Sequence, residues 1–198
     1  MLYQAYQRQA EMLEPLRTVA DAFVRWAAPL AGGDAGACWR WASASHEMIA
    51  RFALSHTRPD FGIREVRSGN DDVPVTEESV LETPFGVLLR FRKEAAAPQP
   101  RVLVVAPLSG HFATLLRGTI RTLLADHDVY VTDWRNARDV PLEAGAFGFD
   151  DYVEHIIRFL ERIGPGAHVV AVCQPCVQTL AAAAVMAQGG HPAQPRSM

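Results

Sequence analysis

The sequence predicts an α/β fold in which helices precede a parallel sheet. Three observations carry this. Short runs of β-branched residues, Val102-Leu103-Val104-Val105, Val129–Trp134 and His168–Ala171, alternate with helix-forming stretches, which is the pattern of strand–helix–strand units. The first 57 residues instead show helical spacing of apolar side chains. Finally, the run His168-Val169-Val170-Ala171-Val172-Cys173 breaks at Cys173 and passes directly into Val177, Leu180, the alanines 181–184, Val185 and Met186, a helix.

Taken in order, residues 2–30 read as a long amphipathic helix, with Tyr6, Ala10, Leu13, Leu16, Ala20, Phe23, Val24 and Ala27 at three- and four-residue spacing. Pro15 should kink or divide it, and Pro29 with Gly32-Gly33 should end it. A second helix is expected over 35–56, with Trp39, Ala42, His46, Ile49, Ala50 and Ala53 on one face. Helix–helix packing is the simpler account of that stripe, and an apolar surface meeting a polymer granule is the alternative. His46 and His56 read as surface or interface residues. Segment 1–57 is therefore an N-terminal helical segment. Residues 58–78, rich in Pro, Gly, Asp and Asn, read as a linker loop, in which Asp71-Asp72 are solvated acids.

From residue 79 to 198 the reading is a sheet-forming domain. Ser79–Glu82 and Gly86–Arg92 are strands joined at Thr83-Pro84-Phe85, and Arg101–Ala106 is a buried strand. A helix follows from about Thr114 to Asp126, then the strand Val129–Trp134 and a long loop. Asp150 or Asp151 caps a helix through Ile163, and Gly164-Pro165-Gly166 stops it.

A buried strand running into a helix with a reactive side chain at the corner is how α/β-hydrolases present their nucleophile. The usual pattern is small-x-nucleophile-x-small. Here the flanks are Ala171 and Pro175, and Pro175 would sit in the first helical turn, where its missing N–H is no loss. Cys173 is thus the candidate nucleophile, and the backbone N–H of Gln174 a candidate oxyanion donor. The loop after Arg101–Ala106 is where a second donor would arise, so the N–H groups of Ser109 and Gly110 are candidates. His111 either lines that pocket or lies on the surface. Asp133, at the end of another strand, either orients polar groups there or makes a structural hydrogen bond. Two other accounts of Cys173 stand beside the nucleophile: a small buried hydrophobe, and half of a redox pair in Cys173-Gln174-Pro175-Cys176. Zinc is disfavoured, because Cys38 is the only further cysteine. After Cys173 there is one histidine, His191, just past the helix and poorly placed to act as a base, and no acid.

The remaining composition narrows the class. The formal net charge of -3 gives no electrostatic case for nucleic acid binding. Three cysteines, an odd number, argue against a secreted disulfide framework. No apolar run reaches the roughly 20 residues of a membrane span, and the N-terminus lacks the pattern of a signal peptide. The expectation is a cytoplasmic protein.

Three stretches resemble intracellular poly(3-hydroxybutyrate) depolymerases: Thr132-Asp133-Trp134-Arg135-Asn136-Ala137-Arg138 with Val140-Pro141, Phe149-Asp150-Asp151-Tyr152-Val153, and Ala171-Val172-Cys173-Gln174-Pro175. The opening Met1-Leu2-Tyr3-Gln4-Ala5-Tyr6 is similar too. The Asp-Trp and Asp-Asp-Tyr signals are shared with polyhydroxyalkanoate synthases. Those usually keep a glycine-flanked box, so Ala171 and Pro175 favour the depolymerase side. The resemblance implies an α/β-hydrolase domain with Cys173 as nucleophile, no cofactor or metal, and a poly(3-hydroxybutyrate) granule as partner. Family members are considerably longer, and their acid and histidine come from a part absent here. The resemblance thus implies an incomplete α/β-hydrolase-type sheet, cut after the nucleophile helix. Two alternatives remain open: synthase-like acyl transfer from a coenzyme A thioester, and a non-catalytic granule-associated protein.

Overall fold

The computed structural model describes residues 8–31, 36–52, 58–94, 98–108 and 112–198. The chain divides into two compact units between Thr57 and Arg58.

The first unit is helical. Residues 8–12 are helical and a turn at Leu13 precedes α1, Glu14–Ala27, so the chain breaks where Pro15 can occupy a first helical turn but not an interior. A 3-10 turn, Ala28–Ala31, follows, and then α2, Gly36–Arg51. The stripe on α2 packs on α1. His46 stacks on Phe23 at 4.0 Å between ring centres, Trp39 lies 5.9 Å from Trp26, and Ala20 and Ala27 are buried. Helix–helix packing therefore accounts for Trp39 and His46, while Ala53 and His56 lie outside the described residues. Met12, Val19, Trp26, Trp41, Met48 and Phe52 remain exposed.

The second unit is built on a six-stranded sheet of order β1-β2-β3-β5-β4-β6. Its strands are β1 Glu65–Ser68, β2 Asp71–Glu82, β3 Gly86–Lys93, β4 Arg101–Val105, β5 Asp128–Trp134 and β6 His168–Ala171. The strands β4, β5 and β6 are parallel, as strand–helix alternation requires, whereas β1, β2 and β3 add an antiparallel flank. The expected linker loop over 58–78 is corrected here. Residues 65–68 and 71–78 are strand, and Phe61, Ile63, Val66 and Val75 are buried beneath it. The turn residues Gly69-Asn70 that suggested a loop make the tight β1–β2 hairpin instead, with Gly69 at φ 66°.

The helices are α3 Arg117–Leu123, after a 3-10 turn Ala113–Leu116, then α4 Phe149–Ile163 and α5 Cys176–Gln188. Ile120 and Leu124 pack with Phe91, Val104 and Val131 on one sheet face. On the other face Ile156, Phe159 and Leu160 of α4 and Ala182 and Met186 of α5 pack on Leu88, Leu103 and Val105. The residues Val102 to Val105 alternate between the two cores, which explains why this strand is apolar throughout. The cap of α4 differs from expectation. Gly148 is the N-cap, and Asp151 reaches back from the third helical position to accept the Gly148 N–H at 2.7 Å. Gly164, at φ 90°, ends the helix.

Gly86 faces Trp134 across the β3–β5 pair, and a Cβ there would lie 2.8 Å from Trp134 Cε3 and 3.3 Å from the Asp133 carbonyl. Gly86→Ala should therefore lower unfolding free energy by about 1–3 kcal/mol, read from urea denaturation of the purified chain. A change within experimental error would show that the Trp134 ring yields freely.

Candidate functional site

From β4 the chain moves through α3 to β5 on one side, and from β5 through α4 back across β4 to β6 on the other. Connections of one hand running in opposite directions use opposite faces: α3 packs on one face of the sheet, and α4 and α5 on the other. The carboxyl ends of the adjacent strands β4 and β6 are the position at which open α/β sheets take ligands.

Cys173 lies just past the carboxyl end of β6. It is exposed and has φ 67°, the one non-glycine residue at positive φ among the described residues. Cysteine has a Cβ and adopts this region only where the turn imposes it. The turn is closed by the N–H of Cys176 donating to the Cys173 carbonyl at 3.2 Å. Pro175 is the N-cap of α5 and makes no side-chain cap hydrogen bond. The account of Cys173 as a small buried hydrophobe is overturned, because the turn lifts it out of the strand into solvent.

The two loops are tied together by a side chain that the sequence did not single out. Gln174 Oε1 accepts the N–H of Leu108 at 3.1 Å. Only the backbone of Gln174 was expected to matter. A polar amide next to the corner residue, opposite a strand-end loop, was the available signal. Ser109, Gly110 and His111 lie outside the described residues.

The carboxyl end of β4 is anchored at Ala106. Its N–H donates to Thr132 Oγ1 at 2.9 Å, and its carbonyl accepts from Trp134 Nε1 at 2.9 Å and Tyr152 Oη at 3.1 Å. The Asp-Trp and Asp-Asp-Tyr stretches thus converge on the last residue before the loop. Burial pushes the Tyr152 hydroxyl well above its usual range, so it stays a donor. Next to Tyr152 on the same helix, His155 is buried among Phe85, Trp134, Phe147 and Phe159, with Nδ1 2.7 Å from the Asp151 carbonyl and Nε2 3.2 Å from Thr83 Oγ1. Both ring nitrogens are engaged, which makes it a core histidine.

Asp133 makes an ion pair rather than a hydrogen bond in the following loop. Its Oδ2 lies 2.6 Å from Arg58 Nε, while Oδ1 has no hydrogen-bond partner among the described residues. Burial raises the Asp133 carboxyl, and Arg58 partly opposes this. Glu77, 3.8 Å from Arg58, is likewise raised by burial and lowered by the guanidinium.

His191 is confirmed as remote from Cys173. It pairs with Glu161 at 3.0 Å and accepts the Ala193 N–H at 3.2 Å, beyond the far end of α5. Thirteen residues of helix place it roughly 20 Å from the corner. Past it, Ser197 forms a parallel bridge to His168 on the outer side of β6. Among the described residues no three His, Cys, Asp or Glu side chains cluster as metal ligands, and no helix is long and apolar enough to cross a membrane.

No protein-family model matches this chain, and no curated protein matches it.

Two outcomes follow from this geometry. Gln174→Ala should raise amide hydrogen exchange at Leu108 at least about tenfold, because the N–H loses its acceptor; unchanged exchange would mean the bond does not hold the loop. Arg58→Met keeps an apolar contact over Phe61 but removes the charge facing Asp133 and Glu77. Both carboxyls already have folded pKa values above their unfolded ones, so folding binds protons there, and their contribution to stability falls as pH rises from about 4 through the raised values. Without Arg58 those values rise further. The variant should lose more stability at pH 7 than at pH 4 in denaturation curves; an equal loss at both would remove the electrostatic account.

Proposed function

We propose that this chain carries the nucleophile-bearing part of a polyhydroxyalkanoate depolymerase, a carboxylic ester hydrolase that cleaves intracellular poly(3-hydroxybutyrate) in the cytoplasm, at the granule. The observation that carries this reading is the placement of Cys173: exposed, at φ 67°, on a strand-to-helix corner at the switch point of the sheet. This placement supports reading Cys173 as the nucleophile of an elbow of the α/β-hydrolase type. The resemblance of the elbow, Asp-Trp and Asp-Asp-Tyr stretches supplies the substrate class.

In this reading the Cys173 thiolate attacks the ester carbonyl. The N–H of Gln174 and one from Ser109 or Gly110 hold the oxyanion, each worth about 3 kcal/mol. Collapse expels the polymer alkoxide, which takes a proton, and leaves an acyl-thioester on Cys173. Water then releases the 3-hydroxybutyrate carboxyl and restores the thiol. The resemblance carries over no residue of this chain as general base or orienting acid. His191, engaged with Glu161, takes no part.

One observation favours a second reading, a non-catalytic granule-associated protein: the helical unit exposes Trp26, Trp41, Met48 and Phe52, an apolar display that suits a polyester surface. In that case Cys173 is dispensable. Synthase-like transfer is separated by its product, new polymer from a coenzyme A thioester rather than free acid and oligomers.

Incubation with p-nitrophenyl 3-hydroxybutyrate should place one 3-hydroxybutyryl group on the peptide holding Cys173, read by mass spectrometry. Cys173→Ala should remove the stoichiometric burst of p-nitrophenol that accompanies this labelling, while catalytic release of 3-hydroxybutyrate is expected of the full-length protein rather than of this chain alone. Labelling elsewhere, or an undiminished burst, would sink the reading.

A further inference from the structure

The turn that exposes Cys173 also brings a second thiol beside it. The hydrogen bond from the Cys176 N–H to the Cys173 carbonyl, 3.2 Å, closes a four-residue turn. Such a turn holds its end Cα atoms within about 7 Å, and a disulfide needs roughly 4.4–6.8 Å between them. Both cysteines are exposed. The Cys176 side chain does not point away along α5: its Sγ donates to the Ala171 carbonyl at 3.5 Å, back toward the strand end from which Cys173 emerges. Cys176 is also the first residue of α5. The third cysteine, Cys38, is on α2 in the other unit.

We propose that Cys173 and Cys176 form a reversible disulfide within this turn, and that oxidation switches the nucleophile off. The first half stands on the turn alone; the second rests on the reading of Cys173 as nucleophile. The oxidant is a low-molecular-weight disulfide, such as oxidised glutathione. One protein thiolate attacks it, forming a mixed disulfide and expelling one glutathione thiolate. The other protein thiolate attacks the protein sulfur of that mixed disulfide and expels the second. Two protein thiols thus lose two electrons and two protons, and one glutathione disulfide becomes two thiols. The product ties Sγ of Cys173 to its neighbour, leaving no free thiolate for an ester carbonyl. Exposure of the pair keeps the bond accessible to reducing thiols, the property of labile rather than structural disulfides.

The test equilibrates the chain with oxidised and reduced glutathione, blocks free thiols with N-ethylmaleimide and reads peptide masses. The 173–176 peptide should be two hydrogens lighter and unalkylated under oxidising ratios, with Cys38 alkylated, and dithiothreitol should reverse this. Cys176→Ser should show only a free or glutathione-linked Cys173. A wild-type peptide that carries two maleimides or stable glutathione adducts at every ratio would overturn the disulfide. The switch is read separately, as 3-hydroxybutyryl labelling of Cys173 in the same samples: it should fall at least about tenfold on disulfide formation and return with dithiothreitol. Labelling that survives formation of the disulfide overturns the switch. A reduced chain that forms the disulfide but never labels leaves the redox site standing and removes the esterase reading instead.

Discussion

The open end of the sheet depends on one constrained backbone: Cys173 held at φ 67°. A side chain with a Cβ costs about 1–2 kcal/mol in the left-handed region. The elements on either side must supply that energy. β6 is fixed by its parallel register with β4, from Val102↔His168 to Val105↔Ala171. α5 is fixed by Ala182 and Met186 against the core. With strand and helix both anchored, the few residues between them have little freedom. The strain is a consequence of joining a parallel strand to a packed helix without a loop.

The other wall of the candidate site, at the carboxyl end of β4, is set by different forces. Ala106 directly follows β4, and its N–H and carbonyl are both engaged, by Thr132, Trp134 and Tyr152. Each is a modest contribution of about 1 kcal/mol. Together they fix the direction in which the loop leaves. The Trp134 and Tyr152 rings pack 4.5 Å apart in the same core, so aromatic packing and hydrogen bonding position one peptide unit. Gln174 then joins this wall to the other through Leu108. The two walls are therefore coupled by a side chain adjacent to the thiol.

Much of this was legible in the sequence, and the parts that were not share a cause. The strands around Val102–Val105 and Val129–Trp134 announced themselves by continuous apolar runs, because burial on both faces demands them. The corner at Cys173 was visible as a strand pattern passing directly into a helix pattern. β1 and the start of β2 were missed. A half-exposed antiparallel flank carries polar residues such as Glu65, Arg67, Asp71 and Asp72, and its hairpin glycine reads like any loop. The Gly148 cap of α4 was assigned to Asp150 or Asp151 because an acid at the third helical position looks, in sequence, like an acid at the cap. The partner of Asp133 was out of reach, since Arg58 is distant in sequence and only the folded sheet brings it near. The role of the Gln174 side chain depends on Leu108, 66 residues away in sequence and brought near only by the parallel pairing of β4 and β6.

The central claim is that the geometry of this turn makes Cys173 the acyl-accepting atom. A crystal structure of the chain after reaction with p-nitrophenyl 3-hydroxybutyrate tests it most directly. The account predicts a thioester on Cys173 Sγ, its carbonyl oxygen about 3 Å from the Gln174 nitrogen, with Cys173 still in the left-handed region. An acyl group on Cys176, or a Cys173 that has relaxed to an extended backbone with its thiol unmodified, would contradict it.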